Sequence, residues 1–188
     1  MNVRGVINDK TALDLIETKV RSPHFYTLPK VHKSLENPPG QPIVSSYQAR
    51  TERISAFVDL TLKPLVLELP SYTMDTKDFL RQLQSLPPLP PEAILFTMDV
   101  VGLYNNIAHD DGLKACETML ERRLVKVPPT SDIIQLAQLV LELNAFQYQT
   151  KYYLQTYGTA MGTKMAPSYA NLFMACLEER LLASAPGQ

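Results

Sequence analysis

Two places in the sequence hold residues whose types and spacing could do chemistry. In the first, Ile94-Leu95-Phe96-Thr97-Met98-Asp99-Val100-Val101-Gly102-Leu103-Tyr104, the one charged residue is Asp99 and an aromatic stands five positions after it. A carboxylate at the end of a buried strand can be handed by a rigid scaffold to an open site, as a metal ligand or general base. It can equally cap the turn or helix that follows, a position that Asp favours. Tyr104 can fold back over the carboxylate and wall off one side of a small site, which would suit a nucleotide sugar beside a bound metal. It can also be an ordinary core aromatic.

The second place is Tyr157-Gly158-Thr159-Ala160-Met161-Gly162-Thr163-Lys164-Met165-Ala166-Pro167-Ser168. Gly162 permits close backbone approach to a ligand, Thr163 and Lys164 offer a hydroxyl and a charge, and Pro167 starts a helix. The spacing is not that of a P-loop, and a glycine loop entering a helix is also a common structural device. A basic stretch, residues 19–33, carries Lys19, Arg21, Lys30 and Lys33 with no acid among them. It could meet phosphates, or be a solvated loop. Asp110 and Asp111 precede a helix, where acids favour the N-terminal dipole, and that reading outweighs a second metal ligand. No Gly-x-Ser-x-Gly elbow exists, and Cys116 and Cys176 stand in no nucleophile, zinc or disulfide pattern. Both read as buried small hydrophobes.

The elements that must position these residues follow from periodicity. Residues 94–99 read as a buried strand ending at Asp99, because a strand covered on both faces appears as a nearly continuous apolar run. Residues 25–33 and 41–45 read as extended chain joined by the turn at Pro38-Pro39-Gly40, and 146–149 with 151–155 as two short strands across a tight turn. Helical spacing predicts helices over 9–20 with an Asp9 cap, and over 54–69 with Pro64 kinking or dividing it. It also predicts helices over 76–86, 110–124, 133–143 (capped by Ser131 or Asp132) and 166–182.

At 188 residues, 45% hydrophobic and 20% charged, the chain has room for one substantial core or two small lobes sharing one. A net charge of −1 argues against a wholly basic nucleic-acid coat. No apolar run is long enough to span a membrane, and residues 1–5 lack the apolar core of a secretory signal, so an intracellular location is expected.

In their order, these segments resemble the reverse transcriptase domain of Penelope-like retroelements. The resemblance is carried by Phe25-Tyr26-Thr27-Leu28-Pro29-Lys30-Val31-His32-Lys33, Pro42-Ile43-Val44-Ser45, Thr51-Glu52-Arg53-Ile54-Ser55, Asp99 to Tyr104, and Gly158-Thr159-Ala160-Met161-Gly162-Thr163 through Ala166-Pro167-Ser168-Tyr169-Ala170-Asn171-Leu172. It covers nearly the whole chain. It implies an α+β fold, a partial right-hand polymerase. On that division, residues 1–92 and 117–156 belong to the fingers, and 93–116, with the Asp99 strand, and 157–188 to the palm.

The resemblance also implies roles. Asp99 would be the first palm carboxylate holding two Mg²⁺ ions, with the Val100 carbonyl nearby, in a two-metal nucleotidyl transfer. Tyr104 would be the steric gate against a ribose 2′-hydroxyl. Gly162 and Thr163 would line the nascent base pair and template strand, and Lys30 and Lys33 would meet template or triphosphate oxygens. RNA template, DNA primer and deoxynucleoside triphosphate would be the partners of the intact parent, with a nuclear location.

Two departures stand out. Gln41 occupies the place of an arginine that usually precedes Pro-Ile-Val-Ser in the family, and it supplies no charge. The family's aromatic-x-Asp-Asp hairpin, which completes the metal site, does not follow before Gln188. The expectation is therefore a fragment of an RNA-dependent DNA polymerase, inactive alone. The alternative is a non-catalytic, retroelement-derived module that binds nucleic acid or another chain.

Overall fold

A computed structural model of the chain describes residues 8–184, so the readings of residues 1–5 and 185–188 lie outside it. The described residues form a mixed α+β structure with four strands and seven helices. The first helix, α1 (Asp9–Asp14), is shorter than its periodicity predicts. Its cap is Asn8, whose side chain accepts from the Thr11 N–H at 2.7 Å.

Strand β1 (His24–Pro29) pairs antiparallel with β2 (Gly40–Ser45), in register from His24 opposite Ser45 to Pro29 opposite Gly40. Helix α2 (Glu52–Leu67) runs through Pro64 without being divided. Pro64 is exposed, so the carbonyl it leaves without a donor can turn to water. Helix α3 (Thr76–Ser85) is capped by Asp75, which accepts from the Asp78 N–H at 2.8 Å. A short helix, α4 (Leu103–Asn106), then precedes α5 (His109–Glu121) and α6 (Thr130–Glu142). Pro129 is the N-cap of α6, and Asp132 is buried inside its first turn instead of capping it.

Strands β3 (Ala145–Tyr148) and β4 (Lys151–Leu154) make the expected hairpin, and β3 joins β1 in parallel at His24 and Gln147. The sheet order is β2-β1-β3-β4. Helix α7 (Ala166–Ser184) closes the chain.

The apolar faces predicted for the helices meet in one core. Val58 and Leu62 of α2, Leu120 of α5, Ile133 and Ala137 of α6, and Leu172 of α7 are all buried in it. Helices α5 and α7 approach closely at Gly112, where an added Cβ would stand 1.9 Å from the Tyr169 hydroxyl. The absence of a side chain there makes room for the largest fully buried side chain of the core.

Residues 94–101 correct the strand predicted for them. They are irregular and exposed, with Ile94 85%, Phe96 76%, Met98 82% and Val101 86% accessible. A strand exists only where neighbouring strands satisfy its backbone, and the sheet of β1 to β4 does not extend to this segment. Hydrophobicity alone therefore left the run as coil. Among the described residues, no helix is long and apolar enough to cross a membrane.

Candidate functional site

The site is assembled by the loop between β4 and α7, which is fastened at both ends. At its start, Gly158 has a φ of +71° and lies against the Asn105 backbone, where an added Cβ would be 2.7 Å from the carbonyl oxygen. The Thr159 N–H donates to the Tyr104 carbonyl at 2.8 Å, and His109 Nε2 lies 2.8 Å from the Gly158 carbonyl oxygen. These contacts fix the α4 turn and with it the Tyr104 ring, which is half-buried against the core. Tyr104 is thus both an edge of the core and a wall of the site.

At the middle of the loop, the Val44 N–H donates to the Met161 carbonyl at 2.9 Å, and the buried Ser46 hydroxyl donates to the Gly162 carbonyl at 2.5 Å. Further on, the Met165 N–H donates to Ser55 Oγ at 2.9 Å, and Ser168 Oγ donates to Asp59 at 2.5 Å, so the loop and the start of α7 are tied to α2. His109, Ser46 and Ser55 meet loop backbone groups with their side chains, Tyr104 and Val44 meet them with their own backbone, and Ser168 and Asp59 join side chain to side chain.

The result is a cavity of about 320 Å³ lined by Gln41, Tyr104, Met161, Gly162, Thr163 and Lys164. Gln41 comes from β2, Tyr104 from α4 and Met161 to Lys164 from the loop, and Ala166 and Pro167 of α7 complete the lining. Gln41, Tyr104, Gly162 and Thr163, singled out separately along the sequence, are therefore brought together. The charge is muted: Lys164 Nζ is 3.2 Å from Glu52, and Gln41 Nε2 rests 3.3 Å from the Met161 sulfur.

Met161 is also a wall of a second cavity of about 290 Å³, lined by Phe25, Pro42, Asn105, Phe146 and Tyr153 among others. Phe25 and Phe146 have ring centroids 5.6 Å apart, and Phe146 stacks on Tyr153 at 5.7 Å. Aromatic faces of this kind take a planar base by stacking. Sequence reasoning missed these residues. Register alone places Phe146 opposite Tyr153, but nothing in the sequence showed that β3 would join β1 and bring Phe25 beside them.

The remaining singled-out residues stand elsewhere. Lys30 and Lys33 belong to the turn after β1, where the Lys30 N–H donates to the Pro39 carbonyl and the Lys33 N–H to the Lys30 carbonyl, both at 2.9 Å. They lie beyond the end of the strand pair that carries Gln41, and neither lines the cavity. Asp99 and Val100 lie in the exposed segment and line neither cavity. Asp110 and Asp111 occupy the first turn of α5, as their position before a helix implied.

No three His, Cys, Asp or Glu side chains gather to hold a metal among the described residues. One carboxylate is short of what a pair of magnesium ions requires, so the arrangement does not fit a two-metal centre. Compared with family models, curated proteins and solved structures, the chain matches none. What can be said of the site rests on its own geometry.

Proposed function

We propose that the chain carries the nucleotide-binding part of an RNA-dependent DNA polymerase of the Penelope-like type, a partial right hand of fingers and palm. One observation carries the reading: two cavities share Met161, one edged by Tyr104 and the glycine loop, the other walled by aromatic rings. An incoming deoxynucleoside triphosphate would occupy the first, with Tyr104 against its sugar, and a templating base would stack in the second. RNA template, DNA primer and a nuclear location belong to the same proposal.

A second reading, a non-catalytic module that binds nucleic acid or another chain, is favoured by the exposure of Asp99 in a segment without regular structure. The experiment that tests the first is binding of deoxy- and ribonucleoside triphosphates to the purified chain, followed by fluorescence or calorimetry. Preference for the deoxy form, lost in Tyr104→Ala, is the expected result. Equal binding of both forms by the unaltered chain would overturn the gate, and no nucleotide binding at all would overturn the reading. Asp99-dependent primer extension with Mg²⁺ or Mn²⁺ would exclude the second reading.

A further inference from the structure

Neither cavity accounts for a groove of about 240 Å³ lined by Arg21, Ser22, Arg50, Thr51, Asn144 and Tyr152, among others. No Asp or Glu lines it. Its two arginines come from separate segments that the backbone holds together, the Arg21 N–H donating to the Gln48 carbonyl at 2.8 Å.

The described arginines otherwise find partners. Arg53 pairs with Glu17, Arg81 with Asp78 and Arg122 with Glu179, while Arg123 and Arg180 donate to carbonyl oxygens. The side chains of Arg21 and Arg50 make no ion pair or hydrogen bond among the described residues. Two arginines lining one groove without a carboxylate, beside the hydroxyls of Ser22 and Thr51, form a receptor for oxyanions, since each guanidinium presents a planar fork that matches phosphate geometry.

Beside them the Tyr152 ring is 68% exposed. The register runs Ser45, His24, Gln147, Tyr152 straight across all four strands, so these residues share one face of the sheet. Tyr153, next along β4, points to the other face, where it stacks on Phe146. Tyr152 therefore faces away from the Phe146 and Tyr153 rings of the aromatic cavity.

We propose that this groove is a track for a single-stranded polynucleotide, with Arg21 and Arg50 on its phosphates and Tyr152 stacked on one base. The aromatic beside the arginines selects a polynucleotide over a phosphorylated peptide, because phosphates alone need only the charge, whereas every base has a face to stack. The inference stands apart from the nucleotide cavity, since it uses none of the residues that line it.

The test is binding of a fluorescein-labelled single-stranded RNA 12-mer to the full chain over a series of salt concentrations, read by anisotropy. The slope of log affinity against log salt should flatten by about 1.4 in the double variant Arg21→Gln/Arg50→Gln, at about 0.7 per phosphate contact. Arg21→Lys/Arg50→Lys should retain the slope, which separates lost charge from a damaged fold. Tyr152→Ala should weaken binding about tenfold with the slope unchanged. An unaltered slope in the double glutamine variant would sink the proposal, as would no binding by the unaltered chain. Competition by a phosphoserine peptide as effective as that by unlabelled RNA would assign the groove to phosphoprotein instead.

Discussion

Gly162 lies directly against the backbone carbonyl of Val44: a Cβ at position 162 would stand 2.2 Å from that oxygen. Its φ of +125° is also one that side chains with a Cβ rarely adopt. The contact lets β2 and the glycine loop share the wall between the two cavities, so space and backbone conformation both demand glycine. Gly162→Ala should cost roughly 2 kcal/mol or more in stability, from backbone strain alone at about 1–3 kcal/mol plus the clash. Urea unfolding measures it, and a loss under about 0.5 kcal/mol would mean that the loop does not sit where it is described.

The same loop depends on a buried hydroxyl. Ser55 is 1% exposed and its Oγ accepts from the Met165 N–H, itself fully buried at the entry to α7. Ser55→Ala removes the acceptor and leaves that N–H without one, which costs about 1–3 kcal/mol. Ser55→Thr keeps the hydroxyl and should lose less. Equal losses in the two variants would show that crowding, and not the hydrogen bond, sets the value.

How much of this was legible in the sequence divides along physical lines. Local signals served well where one stretch carries its own explanation. The apolar stripes of α2, α5, α6 and α7 specify faces that must meet, whereas the turn expected at Pro38-Pro39-Gly40 falls earlier, at residues 31–33 with bends at 35–37, and Gly40 already belongs to β2. That Gln41, Tyr104 and Gly162 line one cavity was not legible, because spacing says nothing about β2 lying against the loop. What failed was residues 94–99. A continuous apolar run reads as a buried strand, but strands are defined by partners and the run contains no information about whether one is present. The groove at Arg21 and Arg50 was invisible for a similar reason, since it exists only because a backbone hydrogen bond brings residues 21 and 48 together.

The exposed segment makes a prediction of its own. Phe96 and Met98 stand 76% and 82% accessible in irregular chain, flanked by backbone hydrogen bonds from the Ala93 N–H to the Pro90 carbonyl and from the Asn105 N–H to the Gly102 carbonyl. Backbone with so few bonds opens at almost no free-energy cost. Chymotrypsin at low ratio should therefore cut first after Phe96 or a close neighbour, with fragments meeting between residues 94 and 101 in mass spectra. Protection of this stretch while the β3–β4 turn is cut would show that the apolar run is covered in solution. Adding single-stranded RNA should leave the first cut unchanged, because the groove that would hold the strand is lined by none of these residues.

Alkaline pH probes the core from the other side. Cys116 is 1% exposed and burial raises its thiol above the ordinary 9.0, with a smaller push from Cys176. Burial likewise raises the Tyr169 phenol above 10.0, aided by the nearby Cys116, Asp111 and Asp110. In both groups the folded chain holds its proton more tightly than the unfolded chain does. Their contribution is fully present below the unfolded values and is lost as pH rises above them. Stability should thus be flat with respect to these groups up to about pH 9, then fall by about 1.4 kcal/mol per pH unit for Cys116, and twice as steeply once Tyr169 joins above 10. Tyr169→Phe keeps the ring beside Gly112 and removes the second titration, so the fall above pH 10 should return to the shallower slope. Urea midpoints between pH 8 and 11 decide the matter, and identical slopes in the two proteins would place Tyr169 at the surface.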